Sequence, residues 1–252
     1  MIKIRNLQKS FGDNLVWSDV SFDIHDGETI AIIGRSGCGK SVLIKHFIAL
    51  LYPDQGEVFI DDKEVFELPY TELRKIRQRF GVLFQGSALF DSVSTFDNVA
   101  FPLRYFTSQT EEEIRENVNN ALKMVNLEGV GPKSTAELSG GMRKRVGVAR
   151  AIVHEPDYIM YDEPTSGLDP QTSDEINELM MDMAENLDIT SIVVTHDMHS
   201  VLKISERVAF LDQGALSWLG SLEEMKHTDY KPLVNFMKAS EYQITNKSKE
   251  SV

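Results

Sequence analysis

The octapeptide Gly34-Arg35-Ser36-Gly37-Cys38-Gly39-Lys40-Ser41 restricts the fold of this chain more than any other stretch. It has the form G-x-x-x-x-G-K-[ST], and its flanks give that form a structural setting. Upstream, Glu28 to Ile33 is a short apolar run after Asp26-Gly27, the pattern of a buried strand. From Lys40 the period changes. Val42, Leu43, Phe47, Leu50 and Leu51 suit one face of a helix that would stop near Pro53. A strand, a glycine-rich loop and a helix in this order close backbone N–H groups around phosphate oxygens, and the helix N-terminus adds partial positive charge. Gly34, Arg35, Ser36, Gly37, Cys38, Gly39, Lys40, Ser41 and the adjoining Val42 are therefore the candidate phosphate contacts. Lys40 would reach the β- and γ-phosphates, and the Ser41 hydroxyl would ligate Mg²⁺. Cys38 fills an unconstrained loop position and has no redox partner in the sequence, since it is the single cysteine.

The remaining pattern is α/β. Ile2 to Leu7, Val20 to Ile24, Glu57 to Ile60, Gly81 to Phe84, Tyr158 to Tyr161, Thr190 to Thr195 and Val208 to Leu211 read as strands. A short basic helix is expected around Leu73 to Arg77, and helix-like sequence separates the later strands. Such alternation points to a largely parallel sheet covered by helices. Between them, Thr110-Glu111-Glu112-Glu113 has the form of a capping box, followed by Ile114, Val118, Leu122 and Val125 at helical spacing. Residues of about 90–137 are thus expected to form a helical insertion, leaving 1–89 and 138–240 as the catalytic core. From 241 to 252 the chain turns polar, which predicts a frayed tail. Met180, Met181 and Met183 read as core packing on a helix.

A second motif completes the chemistry. Tyr158-Ile159-Met160-Tyr161-Asp162-Glu163 is an apolar strand whose end presents two carboxylates. Downstream of a phosphate loop, Asp162 would face the metal and Glu163 would be the general base acting on water. Together the two motifs predict a nucleoside triphosphatase. The 26 Lys and Arg against 39 Asp and Glu leave a net charge of −13, which repels phosphate backbones and argues against nucleic-acid binding. The basic turn Arg143-Lys144-Arg145 is then expected to be a solvated face. A single cysteine suits a reducing compartment. No apolar run approaches the roughly 20 residues that cross a bilayer, and Met1 to Arg5 does not lead into a signal-peptide run. The expected setting is cytoplasmic, with any membrane attachment supplied by another chain.

Leu138-Ser139-Gly140-Gly141-Met142 opens a helix that runs through Val146, Ala149 and Ile152. It resembles the signature motif of ATP-binding-cassette (ABC) ATPases. Gln85, Ser166-Gly167-Leu168-Asp169 and Thr195-His196-Asp197 resemble the Q-loop, D-loop and switch histidine of that family, in the family's order, and the resemblance spans about Ile2 to Ser240. It implies a phosphate-loop NTPase core of the ABC ATPase type, with a mixed sheet covered by helices, an antiparallel β part and an inserted α-helical subdomain. It implies ATP and Mg²⁺ as ligands, the metal held by Ser41, Gln85 and Asp162. Catalytic roles would fall to Glu163, His196, Gln85 and Lys40. Ser139, Gly140 and Gly141 would bind the γ-phosphate held by a second copy, in a head-to-tail ATP-bound homodimer, and Asp169 would help organise the opposing site. Phe11 occupies the adenine-stacking position, a core aromatic being the other reading of that residue.

Met142 stands where most importer ATPases of the family carry glutamine, and the stretches Phe84 to Ser92, Phe96 to Arg104 and Ser41-Val42-Leu43-Ile44-Lys45 resemble the Mla/Mce lipid-transport branch. That branch implies a separate integral-membrane permease, an MCE-domain lipid-binding protein, and a peripheral site on the cytoplasmic side of the inner membrane. A transporter ATPase for another cargo, or a soluble ABC ATPase without a permease, are the alternatives.

Overall fold

Alternating apolar and polar residues shape the first two strands, β1 (Ile2–Phe11) and β2 (Asn14–Ile24), which pair antiparallel across the Gly12-Asp13 turn. β1 buries Ile2, Ile4 and Leu7, and β2 buries Trp17, Val20, Phe22 and Ile24. The computed structural model describes residues 1–247, with side chains described as far as Ser240. β3 (Thr29–Gly34) is buried at every position. It leads through the phosphate loop into α1 (Lys40–Phe47), followed by β4 (Gln55–Ile60), β5 (Lys63–Glu64) and α2 (Tyr70–Gln78). Next come β6 (Phe80–Leu83), α3 (Thr95–Phe106), α4 (Glu111–Met124), α5 (Gly140–Ile152), β7 (Tyr158–Asp162) and α6 (Pro170–Leu187). The chain closes with β8 (Thr190–Thr195), α7 (Met198–Ile204), β9 (Arg207–Asp212), β10 (Ala215–Ser221), α8 (Leu222–Lys226) and α9 (Lys231–Lys247).

Packing divides these elements into two units, one of Met1–Leu73 with the chain from Val193 onward, the other of Arg74–Ile192. In the first unit β4, β1 and β2 are antiparallel neighbours, with β5 beyond β4. β10 joins β2 to β9, and β9 runs parallel to β3, with Leu211 opposite Gly34. The result is the mixed sheet with an antiparallel part that the resemblance implies. Ala31 and Ile33 of β3 pack with Phe210 of β9, Val201 of α7, Met225 of α8 and Phe236 of α9. At the edge of this core Arg207 donates two hydrogen bonds to Glu28, at 2.8 and 2.9 Å, which satisfies a carboxylate that is otherwise buried.

In the second unit β6 and β7 run parallel and α5 lies against β6. The approach is close enough that a side chain is excluded at Gly81, where the neighbour is backbone, and crowded at Gly147, where it is a leucine methyl. A Cβ on Gly81 would sit 2.2 Å from the Ala151 carbonyl oxygen, and one on Gly147 would sit 2.4 Å from Leu83 Cδ1. Residues 90–137 contain α3, α4 and a 3₁₀ turn at Thr135–Glu137, and this unit holds them together with β6, α5, β7 and α6. The Thr110–Glu113 capping box forms as expected, and Ile114, Val118, Leu122 and Val125 are all buried. Met180 and Met183 are buried on α6, as core packing requires, whereas Met181 is only half-buried because it falls off the helix's inner stripe.

Several expected boundaries move: β1 runs past Leu7 to Phe11, β2 begins at Asn14 rather than Val20, and α2 spans Tyr70–Gln78. α1 ends at Phe47 rather than near Pro53, because Ala49 turns left-handed (φ +48°) and the Leu50 and Leu51 N–H groups fold back onto the Lys45 carbonyl. Leu50 is consequently 49% exposed instead of lying on the helix's buried face. At the C-terminus the stretch 241–247, expected as tail, continues α9, since no glycine or proline interrupts it. The rest of the expected tail, 248–252, lies outside the described residues.

Gly81→Ala should lower stability by about 2 kcal/mol, the usual scale for overpacking a tight contact. Urea unfolding measures this, and an unchanged midpoint would mean that α5 is not seated on β6 as described.

Candidate active site

In the first unit β3 leaves the core at Gly34, and the chain must then satisfy its polar backbone without a neighbouring strand. Lys40 does part of this. Its side chain is buried, and Nζ donates to the Gly34 carbonyl at 2.9 Å and to that of Arg35 at 3.2 Å, so the ammonium spans the loop's first turn. Cys38 N–H donates to the Arg35 carbonyl at 3.2 Å. Gly39 is the N-cap of α1 in a left-handed conformation (φ +93°), and a Cβ there would meet Trp17 Nε1 at 2.5 Å. Only glycine makes that turn against the indole. Arg35, Ser36 and Gly37 are exposed, and Ser41 and Val42 are half-buried on the first turn of α1. Burial pushes the Cys38 thiol pKa up, which keeps it protonated and agrees with an inert loop residue.

Phe11 ends β1 with 49% of its surface exposed and the Lys9 ammonium 5.4 Å from its ring centroid. The core-aromatic reading is therefore excluded. His196 follows β8 and is exposed, immediately before Asp197. Asp197 caps α7, accepting from His199 N–H at 3.0 Å and from the Ser200 hydroxyl at 2.7 Å. β8 is the strand next to β3 in the sheet.

In the second unit β7 is buried throughout, and Asp162 at its end is only 4% exposed. Glu163 then turns left-handed (φ +50°) ahead of Pro164. Its carbonyl accepts from Ser166 N–H at 3.2 Å, from the Ser166 hydroxyl at 2.9 Å and from Lys144 Nζ at 2.9 Å. Gln85 lies exposed two residues beyond β6. Ser139 caps α5, its hydroxyl oxygen accepting from Met142 N–H at 3.2 Å. Gly140 and Gly141 bring the start of α5 against the start of α6, where a Cβ on Gly141 would lie 2.6 Å from Thr172 Cγ2. Asp169 caps α6 by accepting from Thr172 N–H at 3.0 Å and from its hydroxyl at 2.6 Å. The unit thus brings together Glu163 with Ser166, and the signature turn with Asp169's helix.

The ABC transporter family profile matches residues 17–166, from β2 through the phosphate loop and Gln85 to the Glu163 turn. The chain belongs to the ABC transporter family. A dimeric post-hydrolysis structure of the ATP-binding cassette MJ0796, bound to ADP and Pi, is similar to it with a TM-score of 0.81 and 33% identity, covering 88% of this chain and 99% of that one. The intermembrane phospholipid transport ATP-binding protein MlaF of Haemophilus influenzae is 39% identical over 94% of this chain and 90% of its own length. The probable ribonucleotide transport ATP-binding protein mkl of Mycobacterium leprae is 42% identical over 92% of this chain. This chain spans 67% of that relative and 65% of the mycobacterial mkl proteins of two further species strains. This ABC ATPase has no helix, among the described residues, long and apolar enough to cross a membrane.

Three residues of this ABC ATPase were not legible as site residues. The basic turn expected as a solvated face is solvated only at Arg143. Lys144 is buried, and Arg145 donates to the Val125 carbonyl and to Glu175. The helical period explains it, because Lys144 falls three residues after Gly141 and three before Gly147, on the buried stripe of α5. Further along that stripe the buried Arg150 donates to the Ser87 carbonyl at 2.6 Å and to that of Ala88 at 2.9 Å. Gly86, Ser87 and Ala88 all have positive φ, so Arg150 clamps the strained turn that follows Gln85. In the first unit His46 is buried on α1 itself, the helix that the phosphate loop opens. Its Nδ1 lies 2.7 Å from the Val42 carbonyl oxygen, Trp17 meets it edge-on, and burial holds its pKa down so that it stays neutral.

Arg150→Ala should cost about 3 kcal/mol, the loss of two charge-assisted bonds to turn carbonyls, that of Ser87 buried and that of Ala88 partly so. It should also speed amide hydrogen exchange at residues 86–88. Unchanged exchange there would show that the turn holds itself.

Proposed function

We propose that this ABC ATPase powers phospholipid transport as a homodimer beneath a separate integral-membrane permease, with an MCE-domain protein as further partner. The observation that carries the cargo is the match to MlaF, which extends over nearly the full length of both chains. The mkl relatives support ribonucleotide cargo as a second reading, but about a third of their length has no counterpart in this chain. The attachment site would be the cytoplasmic face of the inner membrane.

The exposed aromatics of the second unit suit a permease contact. Phe90 and Phe101 lie 5.2 Å apart, and Tyr105 continues the row with Arg74 over its ring. Asn98 ties Phe90 to α3, accepting from Phe90 N–H at 2.8 Å and donating to its carbonyl at 3.0 Å. A helix seated on this row would therefore pull on the segment that begins at Gln85.

In the reaction, the N–H groups of residues 34–42 and the Lys40 ammonium would hold the β- and γ-phosphates. Phe11 would stack on adenine. Glu163 would take a proton from water as its oxygen attacks the γ-phosphorus, while the bond to the ADP oxygen breaks. His196 would contact the γ-phosphate, Gln85 would orient the attacking water, and Ser139, Gly140 and Gly141 of the partner copy would close the site, with Asp169 bracing it. Mg²⁺ fits the donors Ser41, Gln85 and Asp162, which are a hydroxyl, an amide and a carboxylate, all hard oxygens, and it would neutralise charge on the phosphate oxygens.

Capture of this chain from gently solubilised native membranes should recover a multispanning permease, an MCE-domain protein and phospholipid. A different permease without phospholipid would overturn the cargo. Glu163→Gln should retain ATP while turnover falls about a hundredfold or more. Near-normal turnover would remove Glu163 as the base.

A further inference from the structure

We propose that Lys144 is a positioning residue for Glu163: from inside the signature helix it fixes the backbone turn that aims the Glu163 side chain. The inference rests on the reading of Glu163 as the general base.

A lysine ammonium is buried in a protein only when something compensates its lost hydration. Lys144 is 4% exposed, and burial pushes its pKa down in spite of the nearby Asp162 and Glu163 carboxylates. Its hydrogen bonds go to the Glu163 carbonyl oxygen at 2.9 Å and, more weakly, to the Ser166 hydroxyl at 3.5 Å. The strongest donor in the vicinity is thus spent on the main chain of one residue. That residue's own backbone is left-handed (φ +50°). A left-handed conformation is disfavoured for glutamate, and the proline that follows restricts it further. Around the Glu163 carbonyl the Ser166 N–H, the Ser166 hydroxyl and the Lys144 ammonium form a tripod of donors. The tripod fixes the orientation of the 163–164 peptide plane, and with it the direction in which the Glu163 Cα–Cβ bond leaves the turn.

Lys144 has a second attribute. It lies two residues after Met142 on α5, the helix that Ser139, Gly140 and Gly141 open. A shift of that helix therefore moves the donor bonded to Glu163. In the head-to-tail dimer, the signature turn serves the partner copy's nucleotide and Glu163 serves this copy's own. Lys144 then connects the two composite sites through a single side chain.

The test compares Lys144→Met, which keeps length and removes the donor, with Glu163→Gln in the dimeric full-length protein. ATP affinity, kcat and melting temperature are measured for each. Lys144→Met should lower kcat by about tenfold or more through misaiming of the base. ATP affinity should stay within about twofold, the signature of a loss confined to the transition state. The melting temperature should fall by no more than a few degrees, since the Ser166 N–H and hydroxyl still donate to the Glu163 carbonyl after the ammonium is gone. Should that variant not fold, Ser166→Ala removes the hydroxyl bonded to the same carbonyl and should also lower kcat without weakening ATP binding. Wild-type kcat in Lys144→Met alongside an inactive Glu163→Gln would overturn this proposal alone. A fall in kcat matched by equal losses of ATP affinity and melting temperature would also overturn it, by marking a structural role. Normal turnover in Glu163→Gln would instead remove the reading on which it rests.

Discussion

The seating of α5 on β6 governs the chemistry of the second unit. Glycine at 81 lets the strand approach until it meets the Ala151 backbone, and glycine at 147 leaves room for the Leu83 side chain against the helix. At that distance two long basic side chains on the helix's inner stripe reach past its own turn into the loops at the sheet's end. Lys144 reaches the Glu163 turn and Arg150 reaches the turn after Gln85. Both loops hold residues in left-handed backbone, at 163 and at 86–88, which a loose loop would relax. The glycines supply the proximity and the two cations convert it into fixed loop geometry.

The first unit meets a related problem with different means. Its loop begins on a strand buried at every position and ends on a helix whose N-cap is a glycine, so no capping side chain is available. The Lys40 ammonium satisfies carbonyls at the loop's beginning, and Trp17 fills the space beside Gly39. Nucleotide phosphates and loop carbonyls are both oxygen acceptors. The side chain that steadies the loop is therefore the one suited to exchange its partners for a ligand.

Much of this was written in the sequence in a readable way. The phosphate loop, the buried strand ending in Asp162 and the Thr110 capping box are local patterns, and local patterns survive folding. What could not be read depended on contacts between distant segments. Arg143-Lys144-Arg145 looked like one solvated turn because net charge was weighed over period, yet the period places Lys144 on the apolar stripe. The early end of α1 depended on Ala49 adopting a left-handed backbone, which nothing in an alanine announces. Phe11 was ambiguous between core and surface until the turn at Gly12 left it on the outside. His46 reads as an ordinary helix residue until Trp17, 29 positions earlier, is found beside it.

The contact between Trp17 and Gly39 has an optical consequence. The chain has two tryptophans, and Trp218 stands on β10, away from the phosphate loop in sequence and on a different strand. Indole emission responds to the dipoles around its ring, and Trp17 lies against the peptide that starts α1 and beside the imidazole of His46. Any rearrangement of the loop changes that environment directly. The protein therefore contains its own spectroscopic probe, placed where the state of the loop can be followed in real time without a label.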